Sequence, residues 1–368
     1  MSSERPLRIA IIGLGFGCEF IPIYKQHPDA ELVAICQRSK AKLDQIGDAY
    51  GIEKRFTDYA DVLRDPDIDA VHINTPIPNH GPMSVAGLEA GKHVACTVPM
   101  ATSAEDCERI VKAQRASGKT YMMMETVVYS REFLYVKQLH ESGTMGRIQF
   151  LRGSHQQEMG GWPGYWEGLP PMWYATHCVS PCLALPGKLA ESVVCHGSGR
   201  ISEELIPKYG SPFAIETATI KMRDSDLCAE VTRSLFNIAR QYRESFDVHA
   251  EKISFEWPQV EHEPLILHHG EEPRRVETPD FAERLPEGIR RYTTKGVFDD
   301  DENQHLSVQQ GSGHGGSHPH MAHEFVRAIQ EGRAPMPDAV TSANWTMTGI
   351  CAHESAMNGG TRVMIPVF

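Results

Sequence analysis

The sequence places several side chains suited to proton transfer in surroundings that favour chemistry over packing. His177 has a side chain that titrates near neutrality, and it lies in a Gly/Pro/Trp-rich stretch, residues 160–181, that makes poor core material. Tyr174 precedes it by three residues, so the two share a face if the segment is helical. Glu125 ends the apolar run TYMMMET, where a carboxylate is costly unless it is paired or turned toward a cleft. Tyr129 and Arg131 follow shortly after it. Each has a plainer alternative: a hydrogen-bonded structural histidine, a packing aromatic, or an Arg131–Glu125 ion pair.

A second group is His314, His318, His320 and His323. His320 and His323 stand three apart on an expected helix and could chelate zinc. No neighbouring carboxylate or cysteine completes a ligand set, so no metal site is expected. The glycine-rich run around His314 reads instead as a substrate loop, and DDDENQ (299–304) reads as a solvated loop.

Near the N-terminus, IAIIGLGFGCEF sets Gly13, Gly15, Phe16 and Gly17 directly after an apolar run. Gly13 permits a tight turn, and Gly15 lets backbone N–H groups approach a pyrophosphate at the start of the next helix. The usual third glycine position is Cys18, with Gly17 one residue early. The second strand ends AICQRSK. Gln37 can hydrogen-bond a ribose but repels no 2′-phosphate, and Arg38 and Lys40 can pair with one, so NAD and NADP both remain open.

These residues need a scaffold. LRIAII (7–12), AELVAIC (30–36), AVHINT (70–75), HVACTV (93–98) and TYMMMET (120–126) read as buried strands alternating with amphipathic helices such as 102–119. That pattern implies an α/β fold, a Rossmann-type parallel sheet covered on both faces. After about residue 126 comes a helix (131–143), then IQFLRGSHQ, ESVVCHGSG, ETATIKMR, LCAEVTRSLF, SFDVHAE and KISFEWP, several alternating polar and apolar residues. This second part is expected to be an α+β domain with a large, mostly antiparallel open sheet, its free face serving a homodimer or homotetramer. Helices are expected at 318–332 and 341–360. The domains are therefore 1–125, binding dinucleotide, and 126–368, binding substrate, with C-terminal helices able to pack back on the first.

Composition limits the function. The net charge is −12 at pH 7, which argues against a nucleic-acid or anionic-membrane surface. There is no apolar run long enough to span a membrane and no signal-peptide pattern at the N-terminus. The 9 cysteines include no CxxC pair, as expected of a reduced cytoplasmic protein.

The chain resembles the Gfo/Idh/MocA family of nicotinamide-dependent sugar dehydrogenases. The resemblance rests on GLGFG, HINTPIPNHGPMSVAGLEAGKHV (72–94), Pro99 after the fifth strand and the mostly antiparallel second part. It implies that Thr75, Pro76, Asn79, His80, Thr97 and Pro99 line the cofactor at the carboxyl edge of the sheet. The family commonly reads Glu-Lys-Pro where this chain has Thr97-Val98-Pro99, and Asp-x-x-x-His where it has Trp173 and His177. Both departures are similar to the branch of NAD-dependent α-N-acetylgalactosaminidases, as are Met124-Glu125, YSRE (129–132), Tyr174-Ala175-Thr176-His177 and His314-Gly315-Gly316. In that branch the cofactor stays bound: a sugar hydroxyl is oxidised, the aglycone is eliminated, water adds and hydride returns.

The resemblance therefore implies a carbohydrate substrate. His177 is expected to act as base with Tyr174 or Tyr129, and Glu125 to grip sugar hydroxyls or the nicotinamide carboxamide. Arg131, His155, His314 and His318 are expected at the substrate, with Trp162 and Trp166 offering flat faces for sugar stacking. Three readings follow: an NAD(P)-dependent oxidoreductase taking hydride from a ring carbinol, a redox-neutral glycosidase with recycled NAD, and an inactive nucleotide-binding sensor.

Overall fold

The computed structural model describes residues 5–160, 167–240, 242–260, 263–293 and 313–368. The chain divides into two compact units: residues 1–101, 105–126 and 280–343, and residues 102–104, 127–279 and 344–368. The described residues within 280–343 group with the first unit.

In the first unit, β1 (Leu7–Ile12), β2 (Ala30–Cys36), β3 (Lys54–Phe56), β4 (Ala70–Ile73), β5 (His93–Thr97) and β6 (Tyr121–Met124) form one sheet in the order β3-β2-β1-β4-β5-β6. Every pairing is parallel. This is the doubly wound order that places ligands outside the carboxyl ends of β1 and β4. Ile9 and Ile11 of β1 are fully buried, as are Val71 and Ile73 of β4, because helices cover both faces. The crossovers are α1 (Ile21–Gln26), α2 (Lys40–Tyr50), α3 (Tyr59–Arg64), α4 (His80–Glu89) and α5 (Ala104–Ser117). Ser39 caps α2 by accepting from the Lys42 N–H, and Gly51 closes it in the left-handed region. Strand β3 was not expected: KRF is short, charged and only half-buried. The glycine turn opens not one helix but a 3-10 turn, Phe16–Phe20, followed by the six-residue α1 with Pro22 in its first turn. The helix Ser317–Glu331 buries Met321, Ala322, Phe325 and Val326 within this unit.

The second unit is built on a nine-stranded sheet. Its strands are β7 (Ile148–Gln157), β8 (Ala190–Ser198), β9 (Ile215–Met222), β10 (Cys228–Ser234), β11 (Tyr242–Ala250), β12 (Ser254–Glu256), β13 (Leu265–His268), β14 (Pro273–Val276) and β15 (Val363–Met364). The order is β14-β13-β12-β11-β7-β10-β9-β8-β15, antiparallel except for the β7–β10 pair. Leu151, Gly153 and His155 of β7 face inward, while Arg152, Ser154 and Gln156 face outward, the period of two that marks a sheet with one covered face. Helix α6 (Arg131–Glu141) is capped by Ser130, which accepts from the Phe133 N–H. Helix α7 (Thr176–Ala184) lies so close to β7 that a Cβ on Gly153 would sit 2.0 Å from the Cys178 carbonyl oxygen. No helix among the described residues is long and apolar enough to cross a membrane.

Candidate active site

The first unit presents a cradle at the carboxyl end of β1. Gly13 has φ +88°, and a Cβ there would meet the Asn74 carbonyl oxygen at 2.5 Å. A Cβ on Gly17 would meet the Ile11 side chain at 2.8 Å and Asn74 at 3.3 Å. Gly17 therefore gives the close helix–strand approach that the third fingerprint glycine usually provides, although it stands one position early. Cys18, in the usual position, donates its thiol to the Leu14 carbonyl at 3.1 Å. Gly15 is exposed with nothing within 4 Å of a Cβ, so the backbone there is open to a pyrophosphate. These glycines fit a dinucleotide.

Around the cradle, Gln37 is half-buried and accepts from the Arg38 N–H at 3.0 Å, while the Arg38 side chain is exposed. Thr75 and Pro76 are half-buried and Asn79 is exposed on the turn after β4. His80 is differently employed. Its ring is buried, with Nδ1 2.8 Å from the Pro99 carbonyl oxygen and Nε2 2.8 Å from that of Thr75. It ties the loop after β4 to the loop after β5. Burial lowers its pKa. The Thr97 hydroxyl donates to the Ile73 carbonyl at 3.2 Å. Val98 is buried, joined to Pro99 by a cis peptide, and Glu125 is fully buried just past β6.

His314 and His318 also belong to the first unit, where both rings meet Phe16 of the glycine turn edge-on, at 5.9 and 5.4 Å. His318 is buried, and its Nδ1 lies 3.0 Å from the Glu19 carboxylate. No sequence pattern marks this buried pair, because Glu19 reads as an ordinary polar position of a helix. His320 Nε2 lies 3.2 Å from the Asp280 carbonyl oxygen, and His323 Nδ1 lies 2.9 Å from His27 Nε2. Among the described residues no three His, Cys, Asp or Glu side chains converge as a metal site.

The second unit gathers the expected proton-transfer residues. The His177 ring, in the first turn of α7, has Nε2 3.3 Å from the Tyr174 hydroxyl. The His155 ring packs edge-on against His177 at 4.9 Å and lies 5.7 Å from the Tyr174 ring. His155 and His177 are buried, whereas Tyr174 is half-buried and is the more accessible end of the pair. Tyr129 and Arg131 are half-buried at the start of α6 in this unit. Trp162 and Trp166 lie outside the described residues, as do residues 299–304.

Sheet register explains what sequence reading missed. Glu216 on β9 stands opposite Arg233 on β10, Arg233 opposite His155 on β7, and His155 opposite Glu244 on β11. These form one transverse row of buried titratable side chains on the covered face. Arg233 is fully buried. It donates from Nε to the Tyr174 carbonyl (2.8 Å) and from its terminal nitrogens to the carbonyls of His155 (3.2 Å) and Ser234 (2.6 Å) and to the Gln157 amide oxygen (2.7 Å). Burial pulls its pKa down to about 10, still well above neutrality. The Glu216 carboxylate accepts from the Met172 N–H at 3.0 Å and meets His353 Nδ1 at 2.7 Å. Together Glu216 and Arg233 pin both ends of the turn Pro171–Tyr174 that carries Tyr174. Glu244 lies 3.6 Å from His177 Nε2 and 3.9 Å from His155 Nε2, and Tyr242 donates its hydroxyl to the same carboxylate oxygen. A usable signal was present: Glu216 and Arg233 sit in phase with the apolar inward positions of their strands.

Residues 7–125 match the model of an oxidoreductase family with an NAD-binding Rossmann fold, GFO_IDH_MocA. Over those residues the chain is similar to the Gfo/Idh/MocA family. A glycosyl hydrolase family 109 protein of Shewanella baltica is 32% identical over 182 residues, 44% of this chain but only 40% of that protein's length. An alpha-N-acetylgalactosaminidase of Shewanella oneidensis is 24% identical over 398 residues, 98% of this chain and 85% of the relative. Among solved structures, a levoglucosan dehydrogenase in complex with NADH and levoglucosan superposes with TM-score 0.78 at 21% identity, covering 98% of this chain and 100% of the other. At that identity the likeness speaks for the fold alone.

Proposed function

We propose that this protein is an NAD-dependent enzyme acting on a ring carbinol of a sugar or glycoside, with proton transfer assigned to Tyr174 and His177. The observation that carries the reading is the hydrogen-bonded Tyr174–His177 pair, held by Arg233 and Glu216. When bound, a nicotinamide dinucleotide supplies the hydride acceptor. Gly13, Gly15, Phe16 and Gly17 would hold its pyrophosphate, Gln37 and Arg38 its adenosine end, and Thr75, Pro76, Asn79, Thr97, Pro99 and Glu125 its nicotinamide half. The family described as NAD-binding and the NADH-bound structural relative support NAD over NADP. Tyr174, as the accessible group, takes the carbinol proton while its own proton passes to His177 Nε2. His155 and Arg131 orient the sugar. The buried Val98, in place of a lysine, and relatives named as glycosidases favour the second reading, redox-neutral glycoside cleavage with recycled NAD. The same proposal includes a homo-oligomer through the outer face of the nine-stranded sheet.

The test is incubation with NAD and a panel of free sugars and chromogenic glycosides in deuterated water. Accumulating NADH supports a dehydrogenase. Aglycone release with deuterium beside the oxidised carbon and no net NADH supports cleavage. Neither outcome on any substrate, with dinucleotide bound, refutes both and leaves a nucleotide-binding sensor.

A further inference from the structure

We propose that Glu244 is the shared counter-charge of a two-armed proton relay, with Tyr174–His177 as one arm and Tyr242 as the other. The inference rests on the function proposed above and adds a positioning residue and a second phenol to it. The geometry is a hub. One carboxylate oxygen of Glu244 accepts from the Tyr242 hydroxyl, lies 3.6 Å from His177 Nε2 and lies 3.9 Å from His155 Nε2. Both phenols are half-buried, and the two imidazoles and the carboxylate lie buried beneath them.

The electrostatics give the carboxylate its purpose. His177 sits in the first turn of α7, where the positive end of the helix disfavours an imidazolium. It is buried, and the Arg233 guanidinium lies over the Tyr174 ring at 5.3 Å. The titratable groups around it are His155 on β7, Arg233 on β10, Tyr242 and Glu244 on β11, Tyr174 on the preceding turn and Tyr129 on the turn packed against α7. Burial, the helix end and Arg233 all oppose a proton on His177, whereas Glu244 favours one. When Tyr174 receives the carbinol proton and gives its own to Nε2, the imidazolium formed is neutralised by Glu244. On the second arm, Tyr242 takes up the proton from the neighbouring carbon as its own phenolic proton passes to the same Glu244 oxygen; that oxygen can accept it only once His177 has returned its proton through Tyr174 to the departing glycosidic oxygen. The two transfers that carbinol oxidation and removal of the neighbouring hydrogen require are thereby coupled through one anion.

The test compares Glu244→Gln with Tyr242→Phe. Glu244→Gln removes the charge, so the His177 imidazole titration, followed by NMR, and the low-pH limb of kcat/KM are expected to move to lower pH. With it kcat is expected to fall about 10²-fold, the lower end for losing acid–base assistance, with KM little changed. Tyr242→Phe keeps the charge but removes the hydrogen bond that stabilises it. The carboxylate becomes more basic, and the same titration is expected to move to higher pH. A merely structural role would move both variants alike, or neither, and either result overturns the proposal. If Glu244→Gln does not fold, Tyr242→Phe decides alone: no upward movement refutes the relay. The NMR titration needs no substrate. Opposite shifts in a protein that turns over no sugar or glycoside would therefore sink the function and leave the electrostatic assignment. Sugar turnover with unshifted titrations would do the reverse.

Discussion

Arg233→Lys is the substitution that probes most directly how the second unit positions its site. The guanidinium reaches its acceptors from different nitrogens: Nε bonds the Tyr174 carbonyl at 2.8 Å, one terminal nitrogen bonds the carbonyls of His155 and Ser234, and the other bonds the Gln157 amide at 2.7 Å. A lysine keeps a cation but concentrates its donors on one nitrogen, which cannot face acceptors arrayed around a planar fork. About two buried oxygens then go unsatisfied, at roughly 1–2 kcal/mol each, a loss of about 2–4 kcal/mol. For a unit of this size each kcal/mol moves Tm by about 2–4 °C, so the second unit's transition is expected to fall by about 5–15 °C. The functional consequence is larger in proportion. Freeing the Tyr174 carbonyl releases one end of the turn Pro171–Tyr174, and an ångström of misplacement at a reacting group costs about 10²-fold in rate. Calorimetry gives the first number and kcat on whichever substrate the panel identifies gives the second. A lysine variant that melts within about 1 °C of wild type would show that the fork geometry contributes nothing, and the positioning argument would fail with it.

Three further outcomes are expected. Gly13→Ala puts a side chain at φ +88° and a Cβ 2.5 Å from the Asn74 carbonyl, so calorimetric titration with NAD should show affinity reduced at least about 10-fold alongside a loss of about 1–3 kcal/mol in stability. Gly153→Ala drives a Cβ to 2.0 Å from the Cys178 backbone oxygen, which cannot rotate away; α7 must shift, and the urea midpoint should drop by the equivalent of about 3 kcal/mol or more. The first unit should lose stability in mild acid. Burial holds His27, His93 and His320 down to about 4 and His72 down to about 3, against 6.5 in the unfolded chain. Between those values the unfolded chain binds protons that the folded one refuses, so stability falls as pH drops from 6.5 toward 4, at up to about 1.4 kcal/mol per pH unit for each group. His93→Gln, which keeps an acceptor for the Thr120 N–H, should flatten that slope by about one proton in urea titrations against pH.

Much of the nucleotide unit was legible because its signals are local. LRIAII and AELVAIC coincide with β1 and β2, since a strand buried on both faces must be apolar throughout. The glycine turn announces itself because a positive φ and a 2.5 Å approach to Asn74 leave no room for another residue at Gly13. The nearness of Tyr174 to His177 was legible in their three-residue spacing, although Tyr174 ends the turn Pro171–Tyr174 and His177 lies in the first turn of α7. Strand β3 stayed hidden because KRF is neither apolar nor alternating, and the grouping of the described residues within 280–343 with the first unit has no local signature at all.

Which charges meet depends on the folded sheet. Glu216, Arg233, His155 and Glu244 come from strands β9, β10, β7 and β11, and nothing in their sequence spacing fixes the register that sets them side by side. Local sequence is enough to show that an in-phase charge on a buried strand face needs a partner, because an isolated ion there costs several kcal/mol. It could not determine the partner, because cross-strand pairing depends on strand order and register, which are properties of the whole sheet. The same holds for Glu19 and His318, separated by nearly the full chain and joined at 3.0 Å beside the glycine turn. Residue type and local spacing singled out Tyr174 and His177; the folded sheet alone supplied the charged side chains that stand beside them.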